Sequence, residues 1–281
     1  MALLIQMRQK IKAIETIKKI THAMRLISMS NHTRMRARQK PLQEYKSYCT
    51  NLFLKAKAAH PTYTNKLIEP FEKDSNPLLI LVGSQKGLCG NFNSALYHVF
   101  ARALNELSVE KASLVVVGKK AVDFITEQQI AKVITSFRHF TYPKIETIAQ
   151  QITNIIVDAE IPFTSVTFVS NMSKTFFIQN PEITRVIPFD TTKEFPETEL
   201  EFIWEQSSEK ILDMLVHQYI FAQVSYLLFE SILAEQAARF LSMDSSTRNA
   251  ETALDATTLQ YNKLRQAKIT KELTELTGSL T

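Results

Sequence analysis

Apolar residues at Leu4, Met7, Ile11, Ile14, Ile17, Met24 and Ile27 recur mostly at three- and four-residue steps, the spacing of one helical face. A similar stripe, Ile211, Leu215, Ala222, Leu233, Ala237 and Leu241, runs through the other end of the chain. After Ala250 it thins to Leu254, Tyr261 and Leu264, which predicts a helix no longer covered by its own chain. Helix breakers avoid both stretches: no Gly or Pro precedes Pro41, and none lies between Pro196 and Gly278. Uninterrupted runs of about 40 and about 80 residues far exceed the mean helix of about 11–12. At ~1.5 Å per residue they would reach ~60 and ~100 Å. Two long amphipathic helices at opposite ends of a chain most simply wrap on each other as an antiparallel coiled coil.

The middle of the chain has another pattern. Leu78–Val82 and Leu114–Val117 are short apolar runs of buried-strand type, each followed by glycine and a helix-like segment, about 92–107 and 119–128. Ile130–Ser136 is a weaker strand, Ile145–Ala159 a helix, and Phe163–Val169 alternates as a strand does. Lys174–Gln179 and Ile183–Pro188 flank Asn180-Pro181, which predicts a hairpin turn there. Strands alternating with helices imply a small, mostly parallel sheet covered on both faces. The expected organisation is an N-terminal coiled-coil helix over 1–60, an inserted α/β domain over 76–196, and a C-terminal helix over 205–281 that pairs with the first.

Charge sharpens this picture. The net charge is +5, yet residues 1–60 carry +11 and the remainder −6. A basic first arm points to an acidic partner, whether nucleic acid, membrane surface or acidic protein loops, or else to a solvated helix face. Arg8, Lys10 and Lys12 interrupt any secretory pattern at the N-terminus. The longest charge-free apolar-rich run, Met214–Phe229, falls short of a membrane span and contains His217, Gln218, Gln223 and Ser225. No direct membrane span is expected. Two distant cysteines, Cys49 and Cys89, suggest reduced thiols.

The loop Gly83–Asn91, GSQKGLCGN, holds three of the five glycines and follows a strand, as phosphate-binding loops do. Its spacing matches neither G-x-x-x-x-G-K-[ST] nor G-x-G-x-x-G. Its position ahead of a helix leaves weak anion binding open, against a tight strand-to-helix turn on a neighbouring surface. Cys89 sits beside a helix start, but no base accompanies it in sequence. G-x-S-x-G, H-E-x-x-H and C-x-x-C are all missing, and the six histidines show no metal spacing. The chain does not read as an enzyme, and no cofactor or metal is expected.

Three stretches resemble one family, the γ subunit of F-type ATP synthases. Lys19-Ile20-Thr21-His22-Ala23-Met24 is similar to that family's K-I-T-K-A-M. Lys86-Gly87-Leu88-Cys89-Gly90-x-x-Asn93 is similar to D-[RK]-G-L-C-G-x-x-N, with Gln85 in place of the acid. Glu235-Gln236-Ala237-Ala238-Arg239, Ser246-Thr247-Arg248-Asn249-Ala250, and the tail from Tyr261 to Leu273, YNKLRQAKITKEL, complete the match. Phe202-Ile203-Trp204-Glu205 resembles an aromatic-x-aromatic-Glu element of the family. The order of elements follows the family along all 281 residues.

The resemblance implies a non-catalytic rotor, an axle with an inserted Rossmann-like α/β domain inside three α and three β subunits, with ε and a membrane c-ring at its foot. It implies a peripheral place on the cytoplasmic face of a bacterial inner membrane. By this resemblance Arg265, Gln266 and Thr270 match positions that contact a β-subunit loop, with Glu272 and Thr274 on the same tail. Met24 matches a position facing an acidic β loop, or else lies in the coiled-coil core, and Arg239 stands on the opposing helix. Phe202, Trp204 and Glu205 are candidates for ring and ε contact. Gly87, Cys89 and Gly90 form a structural loop rather than a nucleotide site. Two readings compete: an α/β enzyme with helical arms, for which the loop lacks convergent titratable groups, and a nucleic-acid-binding module built on the basic first helix. That module lacks stacking groups, because residues 1–44 contain no aromatic side chain.

Overall fold

A computed structural model describes residues 2–65, 67, 76–106, 112–130, 132–189 and 207–278. The chain begins with helix α1, Ala2–Ala58, and ends with helix α5, Ser208–Gly278. Between them run β1 (Pro77–Val82), α2 (Phe92–Glu106), β2 (Ser113–Val117), α3 (Lys119–Glu127), β3 (Val133–Phe137), α4 (Ile145–Val157), β4 (Ser165–Thr175) and β5 (Ile178–Ile187). Contacts divide the chain into two compact units, Asn31–Ala238 and a second made of Met1–Ser30 with Arg239–Thr281.

The second unit is a pair of helical segments. Arg8 reaches Tyr261, Lys18 reaches Glu251, Thr21 reaches Thr247, and Arg25 reaches Asp244. Partners later on α1 lie correspondingly earlier on α5, so the pairing is antiparallel. The seam is small and polar as well as apolar: Thr21, Ser28, Thr247 and Thr257 are buried beside Met7, Met243 and Ala250. Thr247 donates to the Met243 carbonyl at 2.7 Å and Thr21 to the Lys18 carbonyl at 3.1 Å, and the two hydroxyls meet at 3.0 Å, which offsets the cost of burying both.

In the larger unit the sheet order is β3-β2-β1-β4-β5. β3, β2, β1 and β4 pair in parallel, and β5 runs antiparallel to β4. β1 and β2 are buried along their whole length, which explains why they read as continuous apolar runs rather than alternating ones. Leu79, Leu81, Leu114 and Val116 pack on Leu96 and Phe100 of α2 and Ile125 of α3. The other face, with Leu78, Ile80, Val82 and Phe168, packs on Ile148, Ile152 and Ile156 of α4, and on Phe53 of α1 and Leu212, Val216 and Ile220 of α5. Burying each such side chain is worth about 1.5–3 kcal/mol.

One helix detail needs a physical account, and two strand details depart from the sequence expectation. Helix α1 passes through Pro41, although proline removes one helical hydrogen bond. Burial of Met35 before it and of Phe53 and Ala56 after it holds the helix together. β3 starts at Val133 rather than Ile130, because Gln129 (φ 51°) and Lys132 (φ 67°) lie in the left-handed region and interrupt extended chain. The hairpin does not turn at Asn180-Pro181. It turns at Phe176-Phe177, and Pro181 sits within β5 opposite Asn171. β5 is an edge strand, where a residue without an N–H is tolerated.

Helix α5 includes a stretch long and apolar enough, by composition, to cross a bilayer, and half of it is buried within the protein. Leu212, Val216, Ile220, Val224, Leu227 and Leu228 belong to the core against the sheet, so this apolarity serves packing.

Candidate functional site

The loop after β1 lies at the carboxyl ends of the strands, beside β4, where the winding of the sheet reverses. Open α/β sheets bind ligands at that position. Here the loop is filled from within. The carboxylate of Glu235 on α5, 3% exposed, accepts the backbone N–H of Gln85 at 3.0 Å and that of Lys86 at 3.4 Å. The amides that would wrap a phosphate hold an internal anion instead. Gln85 in turn accepts the N–H of Phe140 through its side-chain oxygen at 2.9 Å.

Close backbone approach explains two of the glycines. A Cβ on Gly118, whose φ is +96°, would stand 2.3 Å from the Gly83 carbonyl oxygen, and one on Gly83 would stand 2.8 Å from Ala121 Cβ. Leu88 and Gly90 both take left-handed φ, 62° and 61°. Gly87 meets no such limit, since the nearest atom to an added Cβ is Lys120 Cε at 3.8 Å. Cys89 is buried with Phe92, Ala234 and Ala238. The Asn93 amide donates to its sulfur at 3.5 Å and to Ser84 Oγ at 2.8 Å.

The tail of α5 is built differently. Beyond Ala250, Thr257 alone among the described residues is buried, as the thinning stripe implied. Arg265, Gln266, Thr270, Glu272 and Thr274 are all exposed. Thr270 donates to the Gln266 carbonyl at 3.1 Å and Thr274 to the Thr270 carbonyl at 2.8 Å. Glu272 pairs with Lys268 at 3.2 Å. The side chains of Arg265 and Gln266 make no hydrogen bond or ion pair among the described residues. Leu259, Ile269 and Leu273 are exposed on the same tail.

Further along the helix pair, Met24 is half-buried and Arg239 is only 3% exposed. Asp244 accepts from Arg25 at 2.7 Å and from Arg248 at 2.5 Å, and the Arg25 bond leads in holding its carboxyl below the usual range. Phe202, Trp204 and Glu205 lie outside the described residues. Glu235 entered the sequence reading only as part of a family-matching stretch, with no role assigned to it; the available signal was an acid in the otherwise mostly apolar stretch 232–238. No group of three or more metal-ligating side chains occurs among the described residues.

The described residues thus form an antiparallel helix pair, a doubly wound domain whose glycine loop holds an internal carboxylate, and an exposed polar tail on α5. The chain belongs to the ATP synthase family, whose model matches residues 4–281. ATP synthase gamma chains of Clostridium perfringens are 28% identical over 282 residues, covering 98% of this chain and 96% of theirs. That of Burkholderia pseudomallei is 28% identical, covering 97% of both chains. The fold is shared with a chain of the Euglena gracilis mitochondrial ATP synthase OSCP/F1/c-ring structure, at TM-score 0.69 and 16% identity over 99% of this chain and 94% of that one.

Proposed function

We infer that this chain is the non-catalytic central-stalk γ subunit of an F-type ATP synthase, part of a membrane-bound complex. It couples ion-driven rotation of a ring to conformational change at catalytic sites on other subunits. On this reading the α5 tail contacts β through Arg265, Gln266 and Thr270, with Glu272 and Thr274 alongside. Met24 and Arg239 belong to a second contact region, and the foot meets ε and the c-ring. The complex sits on the cytoplasmic face of a bacterial inner membrane. Each catalytic site responds to whichever face of an asymmetric axle it meets, which is a bias by differential contact.

The observation that carries the reading is the α5 tail: helical, exposed along one length, and lined with polar groups. A tagged chain purified from native membranes, with ATPase activity assayed on the eluate, tests it. Co-purifying α and β subunits with ATPase activity support the axle; recovery of the chain alone refutes it.

A further inference from the structure

Helix α5 meets the 84–90 loop through little apolar surface. Ala234 and Ala238 touch Cys89 and Phe92, and methyl groups of this size resist sliding poorly. Between the two alanines stands Glu235, whose carboxylate reaches two successive amides of the loop. Charge-assisted hydrogen bonds are directional and gain strength in a site shielded from water. From Gln85 the connection continues to Phe140, just beyond β3. One buried acid thus ties a helix to two loops of the sheet.

We propose that Glu235 is a positioning residue that keys the 84–90 loop, and through Gln85 the segment leaving β3, to helix α5, so that helix and α/β domain turn together. The proposal rests on the rotor reading. The left-handed Leu88, 59% exposed at the loop tip, fits a loop held in shape by an outside clamp.

Cys89 reports on the clamp, because it is buried against α5 and Cys49 is the only other thiol. In a Cys49→Ser background, maleimide labelling of the full chain should accelerate about tenfold or more in Glu235→Leu, a factor that losing even the shorter of the two charge-assisted hydrogen bonds would set. The melting temperature should move by only a few degrees. In the reconstituted complex the same variant should pump fewer ions per ATP hydrolysed. Glu235→Gln keeps one acceptor oxygen and should show a smaller rise in labelling, and it decides the matter if the leucine variant fails to fold. Unchanged labelling overturns the clamp. Faster labelling with unchanged pumping per ATP overturns its coupling role. A parental chain that supports no pumping sinks the rotor reading, whereas a parental chain that pumps while the variants match it sinks this proposal alone.

Discussion

Replacing Arg265 and Gln266 together by alanine separates function from folding. Both side chains are exposed, and neither is bonded among the described residues. Their removal should therefore alter stability by no more than about 0.5 kcal/mol, and alanine's helix propensity works slightly in favour. The Thr270 hydroxyl bonds the backbone carbonyl of residue 266, so that contact survives. On the rotor reading the loss falls on the partner. A neutral hydrogen bond is worth about 0.5–1.5 kcal/mol and one to a charged group about 1.5–3. Together they amount to roughly 2–4 kcal/mol of contact in the coupled state, or on the order of a thirtyfold to a thousandfold change in its occupancy. ATP synthesis driven by an ion gradient in membrane vesicles, normalised to assembled complex, should fall at least about tenfold. A normal rate with the double variant assembled would refute the assignment.

Gly118→Ala should destabilise the protein by about 2–4 kcal/mol, from a left-handed φ and a backbone clash, whereas Gly87→Ala should lie within about 0.5 kcal/mol of the parent; thermal melts compare the two. His32 is buried edge-on against Phe176 at 4.8 Å, and burial, aided by Arg36, lowers its pKa. A depressed folded-state pKa means full stability above the unfolded value of about 6.5 and loss as pH falls through the folded one. The melting temperature should drop between pH about 7.5 and about 5, and His32→Phe should remove that part of the drop. The Asp244 carboxyl, held low chiefly by Arg25, stabilises above its unfolded value of about 3.9 and ceases to as pH falls through the folded one. Asp244→Asn should lower the neutral-pH melting temperature and flatten the acid limb of the curve.

The helices were legible because breaker placement and period are local properties. Gly and Pro are missing from both long runs, and an apolar stripe every three or four residues has one helical meaning. The parallel strands were legible because two-sided burial leaves a continuous apolar run. The β4–β5 turn was misread because Asn180-Pro181 is a strong turn signal in isolation, and only the edge position of β5 makes it harmless within a strand. The clamp on the glycine loop was illegible for another reason: Glu235 lies about 150 residues from Gln85, and its ligands are backbone amides, which carry no side-chain signature.

Helix α5 shows how little composition decides by itself. One stretch is apolar enough to enter a membrane and instead lines a sheet. Its tail carries Leu259, Ile269 and Leu273 in the open, at 58%, 47% and 58% exposure. Among the tail's polar groups, Thr270 and Thr274 bond their own helix, and Lys268 and Lys271 pair with Glu272 and Glu275. An axle needs contacts that grip at defined angles and slip between them. Apolar side chains make contacts that hold at many angles, because burial is non-directional. Hydrogen bonds hold at few. On the proposed rotor reading this division of labour would make the leucines and isoleucine the bearing, and Arg265 and Gln266, whose side chains are unbonded among the described residues, the stop.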